Sequence, residues 1–468
     1  MAQLMTRLLK GAASGVAATL VMSVAMLGAK RLGLLGEPPP RRLTRRMLAP
    51  LGRFAPKGKA LDATALMAHF GFGASMGGLF ALLPARLRGT RGGALFGFTV
   101  WLVNYAGWLP RARLMPPPER DRPGRPTAMI AAHLVFGAAL AAVDRKLSFD
   151  PAALRDKVVV VCGGSRGLGR AITRELLRHG ARVAICGRSP DTLEEARSWL
   201  DGYGAPVMAE VCDLRSEQQT AKLFENVTRE LGPIDVVVAN AATIEVGPIE
   251  AFAPVDFDAA MRETFGTALR SVLAALPGMR ARRRGTVVFI SSIGGRVGVP
   301  HLGPYTAAKF AQVGFAEALH AEVAKDGIRV LTVFPGLMRT GSHLRAVFRG
   351  RQEAELGWFG ASAIAPVVSI DADRAARHIV RAIARGDRFL TFTPAAHLGA
   401  WLHDVAPNAW SLVASTIGRL LPSAPPGSAR LDGREGREGR AIAESSPSSL
   451  VDFIAARSSS LSARHGQR

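Results

Sequence analysis

The chain contains few cysteines, and their small number limits the kinds of site that it can form. Only Cys162, Cys186 and Cys212 occur among its 468 residues. Their spacing matches neither a zinc-binding motif nor a disulfide framework. We therefore expect no metal centre and no disulfide bond, and we interpret the three residues as buried thiols in a reducing compartment.

Acidic residues are scarce as well. The chain has 37 Asp and Glu residues against 60 Lys and Arg residues, which gives a net charge of +23 at pH 7. Residues 1–150 alone hold 21 basic and 6 acidic residues, or +15 of that charge. Because these basic residues flank long apolar runs, we expect them to lie beside anionic lipid rather than to bind nucleic acid.

The apolar runs themselves lack charged residues at their centres, which argues against a transporter. Each approaches the length of a membrane-spanning helix, and small residues in the second would let helices pack closely in lipid. We therefore predict an all-α membrane domain of about four helices over residues 1–146. It resembles bacterial four-helix inner-membrane proteins of unassigned function. The four runs are Gly11–Ala29, Ala63–Leu83, Gly93–Leu109 and Thr127–Val143.

A glycine-rich loop follows a linker at residues 147–156. Val158–Val161 has the apolar character of a parallel strand buried on both faces, and Ala171–His179 is an amphipathic helix. Glycines between a strand and a helix allow a tight turn and close approach of phosphate groups to the backbone. The residues that we predict to bind a cofactor here are Gly163, Ser165, Arg166, Gly167, Leu168 and Gly169.

A second motif combines Ser292, Tyr305 and Lys309. Ser292 follows the apolar strand Thr286–Ser291, and Tyr305 and Lys309 lie one helical turn apart on one face of a helix. A neighbouring cation favours the phenolate and lowers the pKa of a tyrosine. We therefore predict that Tyr305 transfers a proton to or from a substrate oxygen, with Ser292 holding that oxygen.

In their order along the chain, these motifs resemble the short-chain dehydrogenase/reductase family. The loop matches TGxxxGxG with Cys162 in place of threonine, and Tyr305 and Lys309 match YxxxK. The resemblance implies a Rossmann fold over residues 157–394, hydride transfer with a nicotinamide cofactor, and catalysis by Ser292, Tyr305 and Lys309. It also implies cofactor contacts, through Lys309 with the ribose and through Asp213, Leu214, Asn240, Ala241, Pro335, Gly336, Leu337 and Thr340.

One departure from the family concerns an asparagine that supports a proton-relay water. The matching region, Arg262–Gly266, has no asparagine, and Glu263 or Thr264 occupies its place. Two interpretations follow. Either the protein is an enzyme, with slower turnover or a relay through Glu263, or it binds NADP(H) as a redox sensor or scaffold with little or no turnover.

The choice of cofactor depends on the end of the second predicted strand. An acidic residue there hydrogen-bonds the ribose 2′-hydroxyl of NAD, but this chain has Gly187 followed by Arg188. The Arg188 guanidinium can bind phosphate through two parallel hydrogen bonds, and Arg166 adds a second cation. We therefore predict NADP(H) as the cofactor, with NAD(H) the weaker alternative.

The remaining sequence predicts a doubly wound parallel sheet and several peripheral segments. Residues 342–368 form a lid whose apolar side chains either meet an apolar substrate or pack on the core. Residues 395–421 form one or two amphipathic helices, for a membrane surface or a dimer contact, and residues 422–468 are mostly disordered. The predicted strands are Val158–Cys162, Arg182–Cys186, Pro206–Val211, Ile234–Ala239, Thr286–Ser291, Arg329–Phe334 and Phe389–Thr393.

Together these features predict a membrane-anchored, NADP-dependent oxidoreductase that interconverts a hydrophobic alcohol and its ketone or aldehyde. Its expected partners are a hydrophobic or lipid substrate, the membrane and, as is usual in the family, other copies of itself. We expect a multi-pass protein of the inner membrane with the catalytic domain facing the cytoplasm, where the cofactor is found.

Overall fold

The apolar runs at the start of the chain form helices in the computed structural model, which describes residues 2–37, 39–84, 87–147, 150–365, 368–424 and 436–446. The chain divides into two units, Met1–Phe149 and Asp150–Arg468, and each has a hydrophobic core of its own. The α-helices of the first unit are α1 Ala2–Arg31, α2 Pro39–Leu48, α3 Gly58–Leu82, α4 Thr90–Trp101, α5 Leu109–Arg111 and α6 Arg125–Leu147.

Three helices of the first unit are long and apolar enough to cross a membrane, judged by length and composition over the described residues. They are Leu4–Arg31, Gly58–Leu82 and Arg125–Leu147. The third predicted run, Gly93–Leu109, differs from the prediction of an uninterrupted spanning helix. A π-helical turn at Leu102–Trp108 separates α4 from α5, and Pro110 at the start of α5 lacks the N–H that an uninterrupted α-helix would use.

Glycines bring pairs of helices in the first unit into close contact, as the small residues of the second apolar run predict. A Cβ atom on Gly77 of α3 would lie 2.1 Å from the carbonyl oxygen of Gly11 in α1. A Cβ atom on Gly137 of α6 would lie 1.9 Å from the carbonyl oxygen of Gly93 in α4. Both contacts therefore require glycine, and they let backbones approach as they do in small-residue packing within lipid.

Replacing Gly77 with Leu should destabilise the first unit, because the new side chain meets backbone atoms that cannot move aside. We expect a loss of about 3 kcal/mol or more in unfolding free energy, the upper end for overpacking. Gly71→Leu is the matched control, since a Cβ atom on Gly71 of the same helix meets no atom within 4 Å. Thermal unfolding in detergent should separate the two variants, and equal melting temperatures would contradict this packing.

The second unit is built on a parallel sheet with helices on both faces. Its strands are β1 Val158–Cys162, β2 Arg182–Gly187, β3 Met208–Val211, β4 Val236–Ala239, β5 Glu245–Val246, β6 Gly285–Ile290, β7 Ile328–Phe334, β8 Leu337–Arg339, β9 Val347–Phe348, β10 Ser369–Asp371, β11 Phe389–Thr391 and β12 Arg437–Glu438. Its helices are α7 Gly167–Arg178, α8 Pro190–Leu200, α9 Glu217–Glu230, α10 Pro254–Ala260, α11 Thr267–Ala281, α12 Gly303–Val323, α13 Gln352–Ile364, α14 Ala372–Arg385, α15 Pro394–Val405, α16 Pro407–Leu420 and α17 Gly439–Ser445.

The main sheet has seven strands in the order β11-β7-β6-β4-β1-β2-β3, and every pairing within it is parallel. Each strand predicted from the sequence is present, with limits that differ by at most two residues. Strand β1 is buried on both faces, since Val159 and Val161 join one core cluster while Val158 and Val160 join the other. The strand order reverses between β1 and β4, and ligands bind at the carboxyl ends of such strands.

The predicted lid, residues 342–368, packs several of its apolar side chains into the interior. Phe348, Leu356 and Phe359 are at most 5% exposed and form a small core with Val246 of β5. Of the two interpretations that the sequence left open, packing on the core is therefore correct for these residues. They give no support to an apolar substrate.

The C-terminal region partly contradicts the prediction of a disordered tail. Residues 436–446 form β12 and α17, and β12 pairs antiparallel with β9 of the lid. Residues 425–435 and 447–468 of the predicted tail lie outside the described residues. Helices α15 and α16 agree with the prediction of one or two amphipathic helices over residues 395–421.

Candidate active site

A cleft of about 650 Å³ opens at the carboxyl ends of the main strands. Its volume falls within the range of small-molecule and cofactor sites. Most of the predicted cofactor residues line it: Gly163, Ser165, Arg166, Gly167, Leu168, Arg188, Asp213, Leu214, Asn240, Ala241, Tyr305, Lys309 and Thr340. The predicted residues Gly169, Ser292, Pro335, Gly336 and Leu337 are not part of that lining, whereas Met338 is.

The glycine-rich loop has the form that a dinucleotide requires. Gly163 has a φ of +75°, which side chains other than glycine rarely adopt, and α7 begins at Gly167. A Cβ atom on Gly169 would lie 2.1 Å from the carbonyl oxygen of Gly163, so Gly169 packs the loop rather than lining the cleft. Asn240 donates a hydrogen bond of 3.1 Å to the same oxygen. The N-terminus of α7 is thus held at the cleft, where it favours a pyrophosphate.

Strand β6 and helix α12 bring Ser292, Tyr305 and Lys309 together. The Ser292 hydroxyl accepts a hydrogen bond of 3.1 Å from the Gly294 N–H, and it is also hydrogen-bonded to Tyr305. Lys309 Nζ lies 5.7 Å from the centre of the Tyr305 ring. It donates to the carbonyl oxygen of Ile290 at 2.7 Å. Tyr305 and Lys309 lie four residues apart on α12, and Ser292 follows the end of β6. These positions produce the grouping that the sequence predicts.

The pKa of Tyr305 differs from the expectation that Lys309 lowers it. Burial raises the pKa of Tyr305, and the hydrogen bond from Ser292 only partly opposes it. Lys309 is 2% exposed, and burial lowers its pKa to about 7. The reason is that both groups are removed from water, which disfavours the charged form of each.

Two arginines, Arg166 and Arg188, line the cleft beside the carboxyl end of β2, where the sequence predicts the adenosine end of the cofactor. Arg188 is exposed and follows Gly187, the last residue of β2, so no acidic side chain stands at that strand end. Arg166 donates a hydrogen bond of 2.5 Å to the hydroxyl of Thr192, near the start of α8. Burial lowers the pKa of Arg166, as expected for a cation partly removed from water.

Known families match the two structural units of the chain separately. The family model of short chain dehydrogenases matches residues 157–347. A dehydrogenase/reductase SDR family protein 7-like from Anopheles gambiae is 31% identical over 265 residues, which cover 55% of this chain and 81% of that relative. A putative ketoacyl reductase of granaticin polyketide synthesis from Streptomyces violaceoruber is 33% identical over 41% of this chain and 71% of the relative.

The chain belongs to the short-chain dehydrogenase/reductase family. It is accordingly an NAD(P)-dependent oxidoreductase with a Rossmann fold. A solved short-chain dehydrogenase from Streptomyces avermitilis superposes with a TM-score of 0.50 and 27% identity, covering 56% of this chain and 97% of that one. Residues 5–154 match a family of unknown function, DUF6789.

The place of the family's asparagine is occupied by a π-helical turn, Met261–Gly266, between α10 and α11. Glu263 lines the cleft and accepts a 3.4 Å hydrogen bond from Arg215, which also binds Asp213 at 2.7 Å. The Arg215 guanidinium lowers the pKa of Asp213. Glu263 therefore belongs to a charged network with Asp213, while Thr264 is fully buried. Sequence analysis overlooked Arg215, although an arginine two residues after Asp213 is a visible signal.

Gln312 is a second residue that sequence analysis overlooked. It lies one turn after Lys309 on α12, is fully buried, and accepts a 3.3 Å hydrogen bond from Lys309 Nζ. A hydrogen-bond acceptor favours the charged form of a buried ammonium group. Gln312 therefore acts as a positioning residue for Lys309, and its spacing of three residues from the lysine could have indicated this.

Replacing Gln312 with Leu should shift the pH dependence of turnover. Removing the acceptor lowers the pKa of Lys309, so the protonated form is lost at a lower pH. We expect the alkaline limb of the kcat/KM profile to move down by about one pH unit, the scale of a hydrogen bond to a charged group. Gln312→Glu is the matched variant and should move the limb up, because its carboxylate favours the ammonium. Identical profiles for all three proteins would contradict the role of Gln312.

Proposed function

We propose that this short-chain dehydrogenase/reductase is a membrane-anchored, NADPH-dependent enzyme that interconverts an apolar alcohol and its ketone or aldehyde. The observation that carries the proposal is the grouping of Ser292, Tyr305 and Lys309 at the carboxyl end of β6, with Tyr305 and Lys309 lining the cofactor cleft. Such a grouping is suited to proton transfer at a substrate oxygen.

The reaction proposed for these residues is a coupled transfer of hydride and proton. The nicotinamide, when bound, supplies a hydride to the carbonyl carbon or removes one from the alcohol carbon. In reduction, the Ser292 hydroxyl donates a hydrogen bond to the carbonyl oxygen, and the Tyr305 hydroxyl delivers its proton to that oxygen. The Lys309 ammonium stabilises the resulting phenolate. In alcohol oxidation each transfer runs in reverse.

The preference for NADP(H) is supported by Arg166 and Arg188 at the adenosine end of the cleft. The carboxyl end of β2 offers no carboxylate to the ribose 2′-position, because Gly187 and Arg188 occupy that end. Arginine is well suited to a 2′-phosphate, since its planar guanidinium donates two parallel hydrogen bonds.

The proposed apolar substrate is supported by helices α15 and α16 rather than by the lid. Trp401, Leu412 and Leu420 are at least 58% exposed on these helices. The helices adjoin the loop between β6 and α12, through an ion pair of Arg296 with Asp404. Since the chain also carries apolar helices of spanning length, we assign a lipid surface to this exposed face. A substrate dissolved in the bilayer would then lie close to the active-site loop.

Membrane attachment should resist salt. Because salt screens charge but does not weaken apolar burial, the full chain should stay in the membrane fraction after a 1 M wash, when the Debye length is about 3 Å. A chain of residues 150–468 should partition mainly to the supernatant or bind vesicles reversibly through α15 and α16. Release of the full chain by salt alone would contradict spanning helices.

A reporter fused after Pro422 tests the proposed cytoplasmic side of the catalytic unit. A reporter that is active only outside the cytoplasm would contradict this topology.

A second function, an NADP(H) sensor or scaffold with little turnover, is favoured by the absence of the asparagine from the π-helical turn. The two functions predict different results with the same assay. Full-length protein in detergent is mixed with NADPH and a panel of apolar ketones and aldehydes of graded chain length. The proposed enzyme oxidises NADPH with at least one of them, and the sensor binds NADPH but consumes none.

A further inference from the structure

Residues 436–446 form a segment that we call the C-terminal strap. Its strand β12 pairs with β9 of the lid, and the Gly439 N–H donates a 2.9 Å hydrogen bond to the carbonyl oxygen of Ala346. Ile442 is fully buried in the lid core beside Phe348. The strap is therefore fixed to the lid through its backbone and through one apolar side chain.

The strap reaches the adenosine end of the cofactor cleft. Glu438 and Arg345 both line the cleft, together with Arg166 of the glycine-rich loop. Arg345 Nη1 lies 3.8 Å from Glu438 Oε2, and the two side chains are 30% and 51% exposed. An ion pair this long between partly exposed groups is weak, so a stronger anion can compete with Glu438 for Arg345.

The charges around Arg166 are consistent with a site for an anion. After burial, the positive charge of Arg345 contributes most to the lowered pKa of Arg166, with a smaller contribution from Arg440 of the strap, while Glu195 and Glu438 act in the opposite direction. Arg166 of the glycine-rich loop and Arg345 of the lid thus both line the cleft and influence one another electrostatically. A phosphate monoester carries a charge of about −1.5 to −2 at pH 7 and satisfies both arginines at once.

We propose that Arg345 of the lid is a third cation for the cofactor 2′-phosphate, alongside Arg166 and Arg188, and that Glu438 of the strap competes with the phosphate for it. The proposal rests on the preference for NADP(H) given under Proposed function. Arg345 is thereby a specificity-determining residue, and Glu438 weakens NADPH binding and speeds its release. The lid and strap then respond to the one group that distinguishes NADP from NAD.

The experiment measures the affinity of the full chain in detergent for NADPH and for NADH, by cofactor fluorescence. Arg345→Gln should weaken NADPH binding about tenfold, the loss of one charge-assisted contact, and change NADH binding less than about threefold. Glu438→Gln should strengthen NADPH binding several-fold and leave NADH binding almost unchanged. Arg351→Gln on the lid and Glu444→Gln on the strap make the same charge changes outside the cleft lining and should alter neither affinity.

Three results would overturn the proposal. Unchanged NADPH affinity in Arg345→Gln would remove Arg345 from the site. Equal losses for NADPH and NADH would assign Arg345 to a phosphate common to both cofactors. Weaker NADPH binding in Glu438→Gln would show that Glu438 supports the site rather than competing with the phosphate. If the unmutated chain binds both cofactors equally, the NADP(H) preference itself fails. If that preference exists and survives Arg345→Gln, only the inference about the lid and strap fails.

Discussion

Tyr305→Phe should abolish turnover while leaving cofactor binding nearly intact. The substitution removes the phenolic oxygen that we assign to proton transfer and keeps the ring that lines the cleft. General acid–base catalysis contributes about 10² to 10⁴-fold, so kcat should fall at least a hundredfold. The dissociation constant for NADPH should change less than about twofold, because Lys309 and the glycine-rich loop remain. Steady-state kinetics and NADPH fluorescence titration measure the two quantities on the same preparation.

Tyr203→Phe is the matched control for this prediction. Tyr203 packs against Trp199, away from the cleft lining, so the loss of its hydroxyl should leave turnover unchanged. Lys309→Met should differ from both variants, since it removes the proposed stabiliser of the phenolate and, in the family, a contact to the ribose. Full turnover by Tyr305→Phe would remove Tyr305 from the mechanism.

The unmutated enzyme should prefer NADPH to NADH by well over tenfold, and replacing Arg166 and Arg188 with Ala should abolish that preference. Two charge-assisted contacts of roughly 1.5 kcal/mol or more each are sufficient for a difference of this size. The loss should fall on NADPH binding, because neither arginine is needed for the 2′-hydroxyl of NADH. Affinity for both cofactors is measured at fixed ionic strength, since salt screens exposed charges.

Arg229→Ala provides a control for the loss of positive charge at an exposed site on α9, outside the cleft lining. It should preserve the NADPH preference. Equal affinity of the unmutated protein for NADPH and NADH would show that Arg166 and Arg188 do not recognise the phosphate.

Local patterns were sufficient to predict the main sheet and the group around Tyr305. Val158–Val161 is an uninterrupted β-branched run, which is typical of a strand buried on both faces, and that strand is β1. The spacing of Tyr305 and Lys309 places them on one helix face, and the structure brings Ser292 to the same end of the sheet. Each of these features depends on residues close in sequence.

Features that depend on distant contacts were not predictable in this way. Strand β12 has two residues and exists only because it pairs with β9, which lies about ninety residues earlier in the chain. The predicted span is interrupted by a π-helical turn at Leu102–Trp108, next to Pro110, and the presence of Pro110 alone does not indicate which helical form the preceding turn takes. The raised pKa of Tyr305 reflects burial by the whole fold, which the spacing of Tyr305 and Lys309 does not reveal.

Isotope transfer from NADPH tests whether this protein transfers hydride to a carbonyl carbon. Full-length protein is incubated with NADPH carrying deuterium at the transferable position of the nicotinamide and with an apolar ketone, and the product is examined by mass spectrometry. We expect an alcohol with one deuterium at the carbinol carbon for each NADPH consumed, and no such product with Tyr305→Phe. NADPH that binds without being consumed, or is consumed without deuterium reaching the alcohol carbon, would contradict the assignment of this protein as a carbonyl-reducing enzyme.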